Sequence, residues 1–134
     1  MNFDLQHAVD GAMSINLSGW VATINGSGVD LKGYTGAKAV VMTGKWIAPA
    51  GSVVVHLEDS PDNTTFTDVD TPYLVGSNIT VSGQVNRVAG EQGYIGSKRY
   101  LRAVGTLTGQ TTGQRAHYGV MIVRGPKLHG PANP

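Results

Sequence analysis

The feature that most constrains this chain is a period of two. From Ser52 to Glu58, Val53, Val55 and Leu57 fall on one side of an extended backbone, and Val54, His56 and Glu58 fall on the other. That is the pattern of a half-buried β-strand, because successive side chains of a strand point to opposite faces. Met13-Ser14-Ile15-Asn16-Leu17 and Asn78-Ile79-Thr80-Val81-Ser82 alternate in the same way. No long run places apolar residues at i, i+3, i+4 and i+7, so helix is expected to be scarce. Turn signals separate the runs: Asn25-Gly26-Ser27-Gly28, Pro49-Ala50-Gly51, Asp59-Ser60-Pro61-Asp62-Asn63 and Gly109 to Gly113. Short strands at this spacing without helices between them predict an all-β chain, a single antiparallel β-sandwich or jelly roll.

The least regular part is residues 1–35, read as an N-terminal arm or edge hairpin, and the sandwich core is expected over residues 36–125. Ala39 to Trp46 and His117 to Arg124 are apolar on both faces, as strands in the middle of a sheet are. Asp59 to Asn63 predicts a turn whose acids bond the turn's own amides, returning through Thr65-Phe66-Thr67-Asp68-Val69. Gly90 and Gly93 read as a loop before a strand-forming segment from Tyr94 to Thr108. In that segment Leu101, Ala103 and Leu107 face one way, and Tyr100, Arg102, Val104 and Thr106 the other. Residues 126–134 hold three prolines and read as an extended C-terminal tail.

Composition removes several kinds of chemistry. The 134 residues include no cysteine, which excludes disulfides, thiolate metal sites and cysteine nucleophiles. The start of the chain lacks the pattern of a signal peptide, and no run approaches the roughly 18 apolar residues of a membrane span, so a cytoplasmic product without membrane contact is expected. Charged residues are 14% of the chain, below the usual share of about 25%. Residues 1–70 carry three bases and eight acids, and residues 71–134 carry seven bases and one acid. Either the fold interleaves the halves so that the charges mix, or the protein has an acidic and a basic face; interleaving is the simpler expectation.

No catalytic pattern is present. There is no Gly-x-Ser-x-Gly, and the glycine clusters match neither a P-loop nor a dinucleotide fingerprint. The acids Glu58, Asp59, Asp62, Asp68 and Asp70 could hold calcium, but they fit no EF-hand and turn formation accounts for them. His7, His56, His117 and His129 are far apart in sequence with no His-x-x-x-His, so no metal, no cofactor and no enzymatic activity are expected. The run Lys98-Arg99-Tyr100-Leu101-Arg102 has a nucleic-acid-like composition, yet Arg99 and Arg102 would sit on opposite faces of a strand, and nucleic-acid binding is not expected. Trp20, Trp46, Tyr34, Tyr73 and Tyr94 suit core or subunit contacts better than a sugar platform.

The segment His56-Leu57-Glu58-Asp59-Ser60-Pro61-Asp62-Asn63-Thr64-Thr65-Phe66-Thr67-Asp68-Val69, followed by Tyr94-Ile95-Gly96-Ser97-Lys98-Arg99-Tyr100-Leu101-Arg102-Ala103-Val104, resembles a pattern in small structural proteins encoded among tailed-bacteriophage head genes. The resemblance spans roughly Ser52 to Gly125 and carries no catalytic residues. It implies a decoration or cement protein that is made in the bacterial cytoplasm, sits on the capsid exterior and stabilises it. The partners implied are the major capsid protein and the chain itself, as a homotrimer, with host-surface glycans as a further partner. A tail or baseplate sandwich and a carbohydrate-binding module are the alternatives. The interface candidates are Trp20, Tyr34, Trp46, Lys98, Arg99, Tyr100, Arg102, Pro126, Leu128 and His129.

Overall fold

The structure, a computed structural model, describes residues 9–44, 51–82, 87–109 and 115–126. Its strands are β1 (Asp10–Trp20), β2 (Ile24–Asn25), β3 (Val29–Asp30), β4 (Ala37–Thr43), β5 (Ser52–Ser60), β6 (Thr67–Asp68), β7 (Leu74–Val75), β8 (Ile79–Val81), β9 (Arg87–Tyr94), β10 (Tyr100–Thr108) and β11 (Ala116–Arg124). A single 3-10 turn, Thr71–Tyr73, is the only helical element among the described residues. One sheet has five strands in the order β1-β11-β4-β9-β7. The other is built on the β10–β5 pair, with β2 and β3 flanking β10 and β6 and β8 flanking β5. All pairings are antiparallel, and the sheets pack face to face as a β-sandwich.

The inner faces follow the period of two. Val53, Val55 and Leu57 of β5 lie beside Leu101 and Ala103 of β10, opposite Ala39 and Val41 of β4 and Tyr118, Val120 and Ile122 of β11. Every one of these is almost fully buried. β4 and β11 are interior strands, as their apolar character predicts. The sheets approach most closely where β10 carries Gly105: a Cβ there would stand 1.9 Å from the Tyr118 hydroxyl, so only glycine leaves room for that ring. The Tyr118 hydroxyl has no hydrogen-bond partner among the described residues, and burial pushes its pKa up to about 12.

Three expectations are corrected. The sandwich does not begin at residue 36, because β1 pairs along its length with β11 and Ile15 is in the core. Nor does β1 keep the simple alternation of Met13, Ile15 and Leu17. Register shifts on either side of Ile15 bury Ser14 and Ile15 together and leave Leu17 59% exposed. Ser14 then ties the sheets: its Oγ donates to the Ser27 carbonyl at 2.9 Å and accepts from the Ala103 amide at 2.9 Å. Gly90 and Gly93 are not a loop but lie within β9, where Ile79 and Val75 press against them at distances a Cβ would make 3.2 and 3.1 Å. The segment expected from Tyr94 to Thr108 is accordingly broken, and Ile95 to Arg99 connects β9 to β10. The C-terminal tail beyond Pro126 lies outside the described residues.

These contacts predict opposite outcomes for two truncations. Ile122→Ala should cost about 2–5 kcal/mol by chemical denaturation, whereas Tyr118→Phe, which deletes a buried hydroxyl without a partner among the described residues, should leave stability unchanged or raise it.

Candidate functional site

The two outer faces of the sandwich differ in chemistry. On the β5–β10 sheet the outward row runs through Val54, His56 and Glu58, with Arg102, the well-covered Val104 and Thr106 beside them on β10 and Asp68 and Thr80 on the flanking strands. Most of that row is polar or charged. On the five-stranded sheet the apolar outward positions are Val40 and Met42 of β4, Met121 and Val123 of β11, Met13 of β1, Val88 of β9 and Val75 of β7, and the polar ones beside them include Lys38, Glu91 and His117. Pairing fixes this arrangement, since Met13 lies opposite Met121, Met121 opposite Val40, and Met42 opposite Val88. Leu17 joins Met42, Val88 and His117 around a shallow depression at one end of the face. Leu17, Val75 and Val88 are each more than half exposed, and one ion pair, Lys38 with Glu91, crosses the face among the described residues. A solvated antiparallel sheet normally alternates apolar inside with polar outside. This face does not.

The basic run is not a free cationic patch. Lys98 pairs with Asp59 at 3.3 Å, Arg99 with Asp30 through two bonds of 2.9 Å, and Arg102 with Glu58 through Nε and Nη2 at 2.8 and 2.6 Å, both on Oε1. Arg124 likewise bonds Asp10. Each of these four pairs joins a base from the second half of the chain to an acid from the first. Among the described residues the halves therefore interleave at these four pairs. Arg99 precedes β10 rather than lying on it, and its guanidinium stands 5.1 Å from the Tyr100 ring centre. Arg102 covers the Phe66 ring at 4.2 Å.

Among the described residues, the other interface candidates are held within the chain. Tyr34 lies under the Arg124 guanidinium at 4.9 Å and reaches Asp10 at 3.4 Å. Trp20 packs against the core with its Nε1 donating to the Asn16 carbonyl at 3.1 Å. The Pro126 carbonyl accepts from the Thr35 amide at 3.0 Å. Trp46, Leu128 and His129 lie outside the described residues. Tyr34, Lys98 and Arg99 line a common cleft of about 530 Å³ with Leu31, Tyr94 and Gly96. Tyr94 is buried, so the aromatics do not form one exposed platform.

Two placements went beyond the sequence reading. Asp59 is not a solvated turn acid: it continues the inner row of Val53, Val55 and Leu57, accepts a 2.8 Å bond from the Tyr94 hydroxyl and is buried. The period of two pointed there, although a carboxylate is an unexpected core residue. Burial and then the Asp59 bond push the Tyr94 hydroxyl well above the usual tyrosine pKa. His56 meets Glu58, two residues along the same strand, and Asp68, across from Glu58 on β6; its Nε2 is 3.6 and 3.3 Å from their carboxylates. The signal was a His-x-Glu pair in an alternating strand, a spacing that sets both side chains on one face. Burial works to raise the Glu58 carboxyl, but the bonds from Arg102 and His56 outweigh it and leave the group below its usual value. Asp62 makes the expected turn, its Oδ1 accepting from the amides of Thr64 and Thr65.

No protein-family model matches the chain, and no curated protein matches its sequence.

The Arg99 bond, reinforced by the Lys32 amide, lowers the Asp30 pKa from 3.8 to about 2. A carboxyl depressed on folding contributes stability above its unfolded value and loses it as pH falls toward the folded value. Stability should therefore drop between about pH 4 and pH 2, and Asp30→Asn should shrink that drop in acid titrations followed by circular dichroism. The difference should narrow at high salt, because the pair is solvent-exposed.

Proposed function

We propose that the chain is a non-enzymatic assembly protein that packs the outer face of its five-stranded sheet onto the outside of a tailed-phage capsid, as a decoration or cement protein does. The observation that carries this reading is the apolar face itself. Met13, Leu17, Val40, Met42, Val75, Val88, Met121 and Val123 spread over five adjacent strands, with a single ion pair among them within the described residues. Large contiguous apolar surfaces on a folded chain mark sites of association. Methionine adds to the fit, because its flexible and polarisable side chain adapts to irregular partner surfaces. The opposite outer face, with its ion-paired arginine and carboxylates, is left as the solvent side.

The resemblance of the His56–Val69 and Tyr94–Val104 segments to phage head proteins supplies the partner, the major capsid protein, and the location, the virion exterior. The interleaved charge pairs favour the same reading. Lys98, Arg99, Arg102 and Arg124 are each ion-paired within the chain, which weighs against this basic run as an attachment site for a polyanion. Self-association as a homotrimer is part of the proposal. Repeating a modest contact around a closed ring raises the total affinity without a strong single site.

The test is the double variant Met42→Glu, Val88→Lys assayed by co-sedimentation with empty capsids. These outward positions should tolerate the change with a melting shift of a few degrees at most, while capsid binding is lost. Retained binding would move attachment to another surface. Light scattering of the native chain at micromolar concentration should give the mass of three chains, and a monomer would remove the trimer.

A further inference from the structure

We propose that His56, Glu58 and Asp68 form a site for a divalent transition-metal ion of the Zn²⁺ type on the polar outer face of the sandwich. The inference is independent of the capsid reading. His56 and Glu58 are two residues apart on β5 and project from the same face, and Asp68 stands directly opposite Glu58 on β6. One ligand atom from each residue lies within 4.8 Å of the others. Atoms bound to one tetrahedral Zn²⁺ at about 2.0–2.1 Å stand about 3.4 Å apart. His56 Nε2 is 3.6 Å from Glu58 Oε2 and 3.3 Å from Asp68 Oδ1, so these ligand separations exist already without rearrangement of the backbone.

The surroundings suit a cation. Arg102 places both its bonds on Glu58 Oε1, which fixes the carboxylate and leaves Oε2 turned toward His56. Outer partners that orient a ligand in this way raise metal affinity. Two carboxylates directly opposite on neighbouring strands repel each other. Arg102 offsets part of that repulsion, and a divalent ion between Glu58 and Asp68 offsets the rest. One neutral imidazole and two carboxylates are a mixed nitrogen and oxygen set that suits zinc-type ions better than calcium, which takes six to eight oxygens. His56 and Asp68 also border a cleft of about 450 Å³ lined by Thr71, Asn78 and Gln92, which gives solvent access for a further ligand. The ion would clamp the β5–β6 return at its open end.

The test uses the full chain without an affinity tag, stripped with chelator and titrated with ZnCl₂ by calorimetry and with CoCl₂ by visible absorption. One saturable Zn²⁺ per chain and a visible band of low-coordinate Co²⁺ are expected. Asp68 is 79% exposed in its side chain, so Asp68→Asn leaves the fold intact. It should weaken Zn²⁺ at least about tenfold, the lower end of what even outer partners contribute. His56→Gln should abolish the Co²⁺ band, and His117→Gln should leave both signals unchanged. Absence of saturable binding would overturn the proposal. So would binding that survives both Asp68→Asn and His56→Gln, which would place the ion on another histidine.

Discussion

Everything in this sandwich depends on the register of the β5–β10 ladder. Nine consecutive pairs, from Ser60 with Tyr100 to Ser52 with Thr108, set which residues face the core. A slip of β5 by one residue would turn Val53, Val55 and Leu57 to solvent and drive Glu58 inside, and the same slip of β10 would do this to Leu101, Ala103 and Arg102, because the period of a strand is two. The same register puts Gly105 beneath the Tyr118 ring and so sets how closely the two sheets can approach. It also carries Asp59 into the interior, where the Tyr94 hydroxyl and the Lys98 ammonium receive it. Burying that carboxylate without partners would be costly. With them it ties β9 of one sheet to β5 of the other, and the pairing penalises any alternative alignment.

The outward half of that register assigns chemistry to the two sides of the molecule. On one side it lines up Arg102, Glu58 and Asp68 as a row across three strands, with His56 beside them. On the other, the ladders of β11 with β1 and β4 and of β4 with β9 align Met13, Met121, Val40, Met42 and Val88. A sandwich needs one apolar face per sheet to build its core, and the five-stranded sheet has two. The second one pairs side chains across the strands and leaves Leu17, Val75 and Val88 more than half exposed. This asymmetry is what turns a stable small fold into a candidate for assembly.

Much of this was legible in the sequence, for physical reasons that differ by element. Alternation in β5, β8 and β10 located their inner rows because those strands run without interruption. β1 defeated the same reasoning at Ile15, since an inserted residue flips the face of everything after it and leaves no mark on the local pattern. Gly90 and Gly93 read as turn residues because the cause of their smallness, Ile79 and Val75 on other strands, is remote in sequence. The ion pairs of Arg99 with Asp30 and Arg124 with Asp10 join residues far apart along the chain, which charge counting by halves only foreshadows. The apolar outer face was half visible. β4 and β11 are apolar on both faces, and that pattern located them correctly inside a sheet; it reported equally an outer face without the usual polar cover.

The central claim is that this outer face is covered in the working form of the protein. Three of the four methionines lie on it, at positions 13, 42 and 121, which makes oxidation a built-in footprint. Peroxide oxidation of the isolated chain and of the chain bound to capsids, read residue by residue by mass spectrometry, tests the claim directly. Slower sulfoxide formation at Met13, Met42 and Met121 in the bound form is the result predicted. Equal rates at all three in the free and bound states would contradict it.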